Sequence, residues 1–175
     1  MEIAFRIGTK YGVYAMLLGL IISILFYLLN PSLLMNWAAY LPSLVTIVLM
    51  VMAVKECKNY LGGYIRYGEA LLTGWSAYLF PAVISTLLTW LLFNYIDPSL
   101  LDLQKEKAIE AAIKVAETFG MDGHNQEEMI NSLEKADMSF TMGKALMSLV
   151  FSLFIGGIIA AIIALIMRRE KPKDA

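Results

Sequence analysis

Pro81 is followed by Ser85, Thr86 and Thr89 inside one long apolar run. Proline in a helix releases the carbonyl four residues back, here that of Ala77, and bends the axis. Hydroxyls on the next turns can bond back to the helix or reach a neighbouring one. The pattern describes a hinge beside a polar path, at Pro81, Ser85 and Thr86, or a bend that only shapes a bundle. Membrane helices tolerate proline readily, so the second use is the commoner. Other chemistry is sparse. Glu69 follows Gly68 at the head of the same run, where a helix N-terminus favours a carboxylate, so capping explains it better than catalysis. Cys57 lies between Lys55 and Lys58, which would acidify its thiol slightly, but an ordinary free cysteine is the simpler reading. Cys57 and the lone His124 are far apart in the chain and make no zinc or haem constellation. A glycine-rich phosphate loop, HExxH and GxSxG are all missing from the sequence. No catalytic, cofactor-binding or metal-ligating residue is assigned. The chain is read as no enzyme, without a cofactor, a metal or a nucleic-acid partner.

Small residues carry a clearer pattern. Ser148, Ser152, Gly156, Ala160 and Ala164 recur every fourth position, a stripe along one helix face. Gly8 and Gly12 make a GxxxG step, continued loosely by Ala15 and Gly19. Such faces let two backbones approach and gain dispersion contacts that lipid does not supply. The expectation is that the first and last apolar segments pack against each other within one bundle, with a dimer seam as the alternative.

The elements that must hold these residues are apolar and uncharged. Four runs, at 11–29, 35–54, 70–96 and 145–167, contain no Asp, Glu, Lys, Arg or His, in a chain that is 59% hydrophobic. At about 1.5 Å per residue each spans a hydrocarbon core of about 30 Å. In lipid every backbone N–H and C=O must be satisfied internally, which makes such runs helices. The first run exceeds the usual signal-peptide core and lacks a clear small-x-small site, so it reads as a retained span. The chain is therefore all-α, a polytopic four-transmembrane-helix bundle forming one membrane domain over 1–175. The absence of an ionisable group inside the runs argues against proton coupling or intramembrane proteolysis.

Basic residues set the orientation. Arg6 and Lys10 precede the first run, and Lys55, Lys58 and Arg66 lie in the linker 55–69. Arg168, Arg169, Lys171 and Lys173 form the tail. The turn Asn30–Leu34 is uncharged, and the segment 97–144 sets five lysines against ten acids. Both termini and the linker are expected in the cytoplasm, with 97–144 outside. Tyr11, Tyr27, Trp37, Tyr40, Trp90 and Tyr95 fall near run ends, where rings anchor at the interface. Tyr60, Tyr64 and Tyr67, among the linker's cations, suit the headgroup layer of an anionic leaflet.

The segment 97–144 has helical spacing. Asp97-Pro98 is a helix-start signal, with Asp97 as the cap. Leu101, Ala108, Ile109, Ala112, Ile113, Ala116 and Phe119 follow along one face. Gly120 and Gly123 bracket a turn. Asn125 with Glu128 is shaped like a capping box opening a second helix to about Asp137. The result is an amphipathic helical hairpin between spans three and four, its apolar faces meeting each other or the membrane surface.

The stretch Gly63-Tyr64-Ile65-Arg66-Tyr67-Gly68-Glu69-Ala70-Leu71, and the step Tyr95-Ile96-Asp97-Pro98 at the end of the third run, resemble motifs of the family named domain of unknown function 4199. The order of runs, the acidic outer segment and the basic tail are similar too, so the resemblance covers essentially the whole chain. It implies a small four-span bacterial protein and the inner membrane of a Gram-negative cell. It brings no activity or catalytic residue. Gly63, Gly68, Glu69, Asp97 and Pro98 are its motif positions, read physically as turns and caps. Two roles are expected: an interaction or structural component meeting membrane lipids and a protein partner or a second copy, or a small transporter or channel component with a path along span three.

Overall fold

The computed structural model describes residues 1–169, so Lys171 and Lys173 of the basic tail lie outside the described residues. Helix α1 (Glu2–Leu29) begins well before the uncharged run and carries Arg6 and Lys10 on its first turns. It ends at Asn30, whose extended backbone precedes Pro31 and whose side chain accepts a hydrogen bond from Ser32 N at 3.0 Å. Two single 3₁₀ turns follow, Pro31–Leu34 and Trp37–Tyr40, before α2 (Leu41–Tyr60). The second span was expected as a helix from Met35. It starts its regular helix at Leu41 instead, because Pro42 lacks a donor and fits only the first helical turn. Its far end runs past Val54 to Tyr60, taking Lys55, Glu56 and Lys58 out of the expected linker.

Helix α3 (Tyr67–Leu91) opens on a carboxylate that folds back: Glu69 accepts from Arg66 N at 3.1 Å and pairs with the Arg66 guanidinium at 3.1 Å. Pro81 sits inside it, and it closes in a π turn, Leu92–Ile96, where Asp97 N donates to Leu92 O at 2.8 Å. Asn94 steadies that turn by donating to Trp90 O at 2.8 Å and to Phe140 O at 3.0 Å. Helices α4 (Leu100–Thr118) and α5 (Gly123–Lys135) make the expected hairpin, and α6 (Met142–Met167) completes the chain of helices.

Four of these segments, Glu2–Leu29, Trp37–Tyr60, Tyr67–Ile96 and Met142–Met167, are long and apolar enough to cross a membrane. Large side chains such as Leu28, Val150, Phe151 and Phe154 stand outward around the bundle, the inverse of a water-soluble fold. The only β pairing among the described residues is one bridge, where Ile65 and Arg169 exchange backbone hydrogen bonds of 2.9 and 3.0 Å and tie the α2–α3 linker to the end of α6.

Helix α3 is the centre of the bundle and touches α1, α2 and α6, whereas α1 and α6 have no substantial contact with each other. The expected pairing of the first and last spans is thus replaced: both small-residue faces close on α3 instead. Gly8 and Gly12 lie against Thr73, Ser76 and Ala77, while Gly156 and Ala160 lie against Tyr78 and Gly74. These α3 residues alternate between two sides of the helix, so one helix receives a small-residue face on each side. A cluster of Met50, Val54, Cys57, Ile65 and Ala70, each at most 1% exposed, packs the end where the basic residues gather. At the other end a smaller cluster of Leu92, Phe93 and Leu100 receives Tyr27, Met35 and Phe140 and fixes the root of the hairpin.

Two capping expectations are corrected in the hairpin. Asp97 does not cap α4, which starts at Leu100; its carboxylate accepts from Ser99 Oγ at 2.5 Å and from the Tyr27 hydroxyl at 3.3 Å. Asp97 therefore ties the α3–α4 corner to α1. The cap of α5 is Asp122, not Asn125: its carboxylate accepts from Asn125 N at 3.0 Å. An aspartate three residues earlier fills the capping position, leaving Asn125 in the first turn. Gly120, with φ of +62°, makes the turn, whereas Gly123 belongs to the helix.

Candidate functional site

The two packed clusters leave the middle and hairpin side of the bundle less filled. Three cavities lie there, and Ser85 lines all of them. The first, about 80 Å³, sits between α1, α2 and α3 and is lined by Gly19, Ser23, Ser43, Thr46, Tyr78 and Pro81 among others. A second, about 240 Å³, continues toward the hairpin end past Ser23, Ser43, Leu88 and Phe93. The third, about 300 Å³, opens between α3 and α6 and includes Gln104 of α4.

The hydroxyls that gather here are satisfied within their own helices, at little cost to the backbone. Pro81 leaves the α3 ladder one donor short. Beyond it, the Ser85 and Thr86 hydroxyls donate to Ala82 O at 3.1 and 2.9 Å, and Thr89 donates to Ser85 O at 2.9 Å. Thr46 on α2 does the same to Pro42 O at 2.9 Å. Each hydroxyl proton is committed to a carbonyl of its own helix, so the oxygen lone pairs remain to face the cavity. Tyr78 and Ser152 share a hydrogen bond of 2.8 Å that closes the third cavity toward the bundle's centre.

The residues singled out by the sequence divide into two groups. Pro81, Ser85 and Thr86 come together with Ser148 and Ser152 around the cavities. Gly156, Ala160 and Ala164, lower on the same stripe, are buried against α3. One stripe thus does two things, packing at its small end and lining a cavity at its hydroxyl end. Gly8 and Gly12 pack on α3, away from the cavities. Gly63 adopts φ of +87° in the linker. Gly68, next to Glu69, lines an apolar groove with Leu71, Leu72, Trp75, Gly157 and Ala161. Asp97 and Pro98 form the corner above α3.

Gln104 and Glu56 were not singled out in the sequence. Gln104 lies on the amphipathic α4, where a polar residue ordinarily signals the wetted face. Its carbonyl oxygen is buried, with no hydrogen-bond partner among the described residues. Glu56 accepts from the Tyr11 hydroxyl at 2.6 Å and from Lys10 Nζ at 3.0 Å, joining α1 to α2. Only its position on α2, visible once that helix is seen to reach Tyr60, gives it this role.

Residues 10–169 match a family described as a protein of unknown function, DUF4199. The chain belongs to this family. No curated protein and no solved structure matches it. Membership fixes the kind of protein without supplying an activity, so the chemistry of this DUF4199 member rests on its own side chains. Among the described residues no three His, Cys, Asp or Glu side chains gather where they could hold a metal ion. Cys57 is fully buried in the cluster at the basic end, and His124 is exposed on α5. What the cavities offer is a set of neutral hydroxyl and amide groups, several of them left as acceptors, beside aromatic and aliphatic walls.

Proposed function

We propose that this chain is a non-enzymatic component of the bacterial inner membrane that acts by interaction, with the α4–α5 hairpin as the arm that meets a protein partner. In this reading both termini are cytoplasmic and the hairpin faces outward, which the segregation of lysine and arginine supports. The observation that carries it is the attachment of the arm. Helix α5 packs along α4 and has no other substantial neighbour among the described residues, so the hairpin is held to the bundle only at its root. At the far end Val115, Phe119 and Met121 are exposed, Phe119 at 76%. Acidic residues flank this apolar tip, which suits a partner with an apolar hollow rimmed by cations.

Photo-crosslinking in native membranes tests the reading. A crosslinking residue at Phe119 is expected to give a discrete protein adduct, while one at the outward-facing Phe154 of α6 gives lipid adducts. Removing 103–136 should leave the bundle folded and abolish the adduct partner's co-purification. Lipid adducts alone at both positions would defeat the proposal.

A second reading, a small transporter or channel component, is favoured by the cavities that meet at Ser85 beside Pro81. It predicts solute flux in liposomes that falls on Thr86→Val or Pro81→Leu while the fold persists.

A further inference from the structure

The cavity between α3, α6 and α4 is lined by neutral polar groups in which acceptors predominate, with Ser148 and Ser152 of α6 adding hydroxyls that can donate. Ser85, Thr86 and Thr89 have given their protons to helix carbonyls and offer lone pairs only. Gln104 adds a buried carbonyl oxygen that no described residue satisfies. A buried polar atom left without a partner is destabilising, so this arrangement calls for a donor from outside the chain. Among the described residues no Asp, Glu, Lys, Arg or His lines the space. An anion would find no countercharge and few donors, and a cation would shed its water with no countercharge. Phe93 and Phe140, packed edge to face with ring centres 5.9 Å apart, supply an apolar wall. At about 300 Å³ the volume lies at the lower end of small-molecule sites.

From these features we infer that this cavity binds an uncharged polyol group, whose hydroxyls donate to Ser85, Thr86, Thr89 and Gln104 while its C–H face rests on the two phenylalanines. The same group can arrive as a free polyol or as the sugar headgroup of a neutral glycolipid, since the cavity opens between α3 and α6. Binding here requires neither a partner for the arm nor passage across the bundle.

The test uses the full chain in phosphatidylcholine nanodiscs. Saturation-transfer NMR is run with sorbitol, with urea (donors but no C–H face) and with sodium chloride followed by sodium-23 relaxation. A parallel set of nanodiscs contains glucosyl-diacylglycerol. Sorbitol transfer with none from urea indicates a free polyol. Loss of sorbitol transfer in the glycolipid discs, with transfer to the glucosyl protons, indicates the lipid-borne form. Thr86→Val and Gln104→Leu are each expected to weaken binding about tenfold, the loss of one hydrogen bond to a buried acceptor. Thermal unfolding checks that both variants are folded. No transfer from either polyol source, sodium binding in place of polyol binding, or an unchanged affinity in both folded variants would overturn the inference.

Discussion

Gly156 of α6 faces the ring of Tyr78 on α3 so closely that a β-carbon on it would stand 2.2 Å from the ring. The same tyrosine shares a hydrogen bond of 2.8 Å with Ser152, one turn away on α6. A ring pressed on glycine and tethered by its hydroxyl fixes the register of the two helices.

Gly156→Ala is therefore expected to destabilise the bundle by about 1–3 kcal/mol, despite the better helix propensity of alanine. The ring must move and give up Ser152. Gly157→Ala, whose β-carbon would meet Trp75 at an ordinary 3.6 Å, should leave the bundle as stable or raise its stability by up to about 1 kcal/mol. Thermal unfolding of both in one detergent decides, and equal melting temperatures would refute the contact.

On the other side of α3, a β-carbon at Gly8 would lie 1.9 Å from Ser76 Oγ and 2.4 Å from Thr73 O. Gly8→Ala should lower the melting temperature, and adding Ser76→Ala should restore only part of the loss. The backbone oxygen of Thr73 cannot be trimmed away. Full recovery in the double variant would show that α1 rides less closely on α3.

Sidedness has its own measurement. In a Cys57→Ser background, a cysteine replacing Glu110 should react with a membrane-impermeant maleimide added to intact cells. One replacing Lys55 should react only after permeabilisation. The reverse pattern would invert the orientation.

The junction between the hairpin and α6 should respond to acid. Hydrogen bonds from Ser139, aided by Lys144 Nζ at 3.0 Å, hold the Asp137 carboxyl far below the usual carboxylate range. Because the folded pKa is depressed, its contribution is complete above the ordinary carboxylate value of about 4. It is lost as the pH falls below that value toward the lowered one. Amide protection factors at Ser139 and Lys144 should hold from pH 7 to 5 and drop below about pH 4. In Asp137→Asn they should be low throughout.

Much of the architecture was legible in the residues. Four runs without an ionisable side chain have one stable environment and one stable conformation there, and the structure contains four helices to match. The hairpin followed from its apolar spacing, and the family motifs were readable as short strings around Glu69 and Asp97. Helix ends were less legible. Asp122 and Asn125 both have capping side chains, and only the chain's path selects between them. Likewise Asp97 reads as a cap until Tyr27, seventy residues earlier, is found beside it at 3.3 Å.

Partnership was decided by tertiary structure alone. A small-residue face declares that a helix will approach closely and says nothing about which helix. The Gly8–Gly12 step and the Gly156–Ala164 stripe both found α3, because α3 itself carries small residues on two sides: Ser76 and Ala77 on one, Gly74 on the other. The cavities are a product of that arrangement, spaces left beside α3 from Pro81 onward, two of them against α1 and α2 and one against α6. The burial of Gln104 depends on where α4 is rooted, through Leu100 against Leu92 and Phe93. Hydropathy and charge are properties of the chain in order, so one dimension sufficed for the spans. Contacts between distant segments depend on complementary shape in three dimensions, which no local pattern encodes.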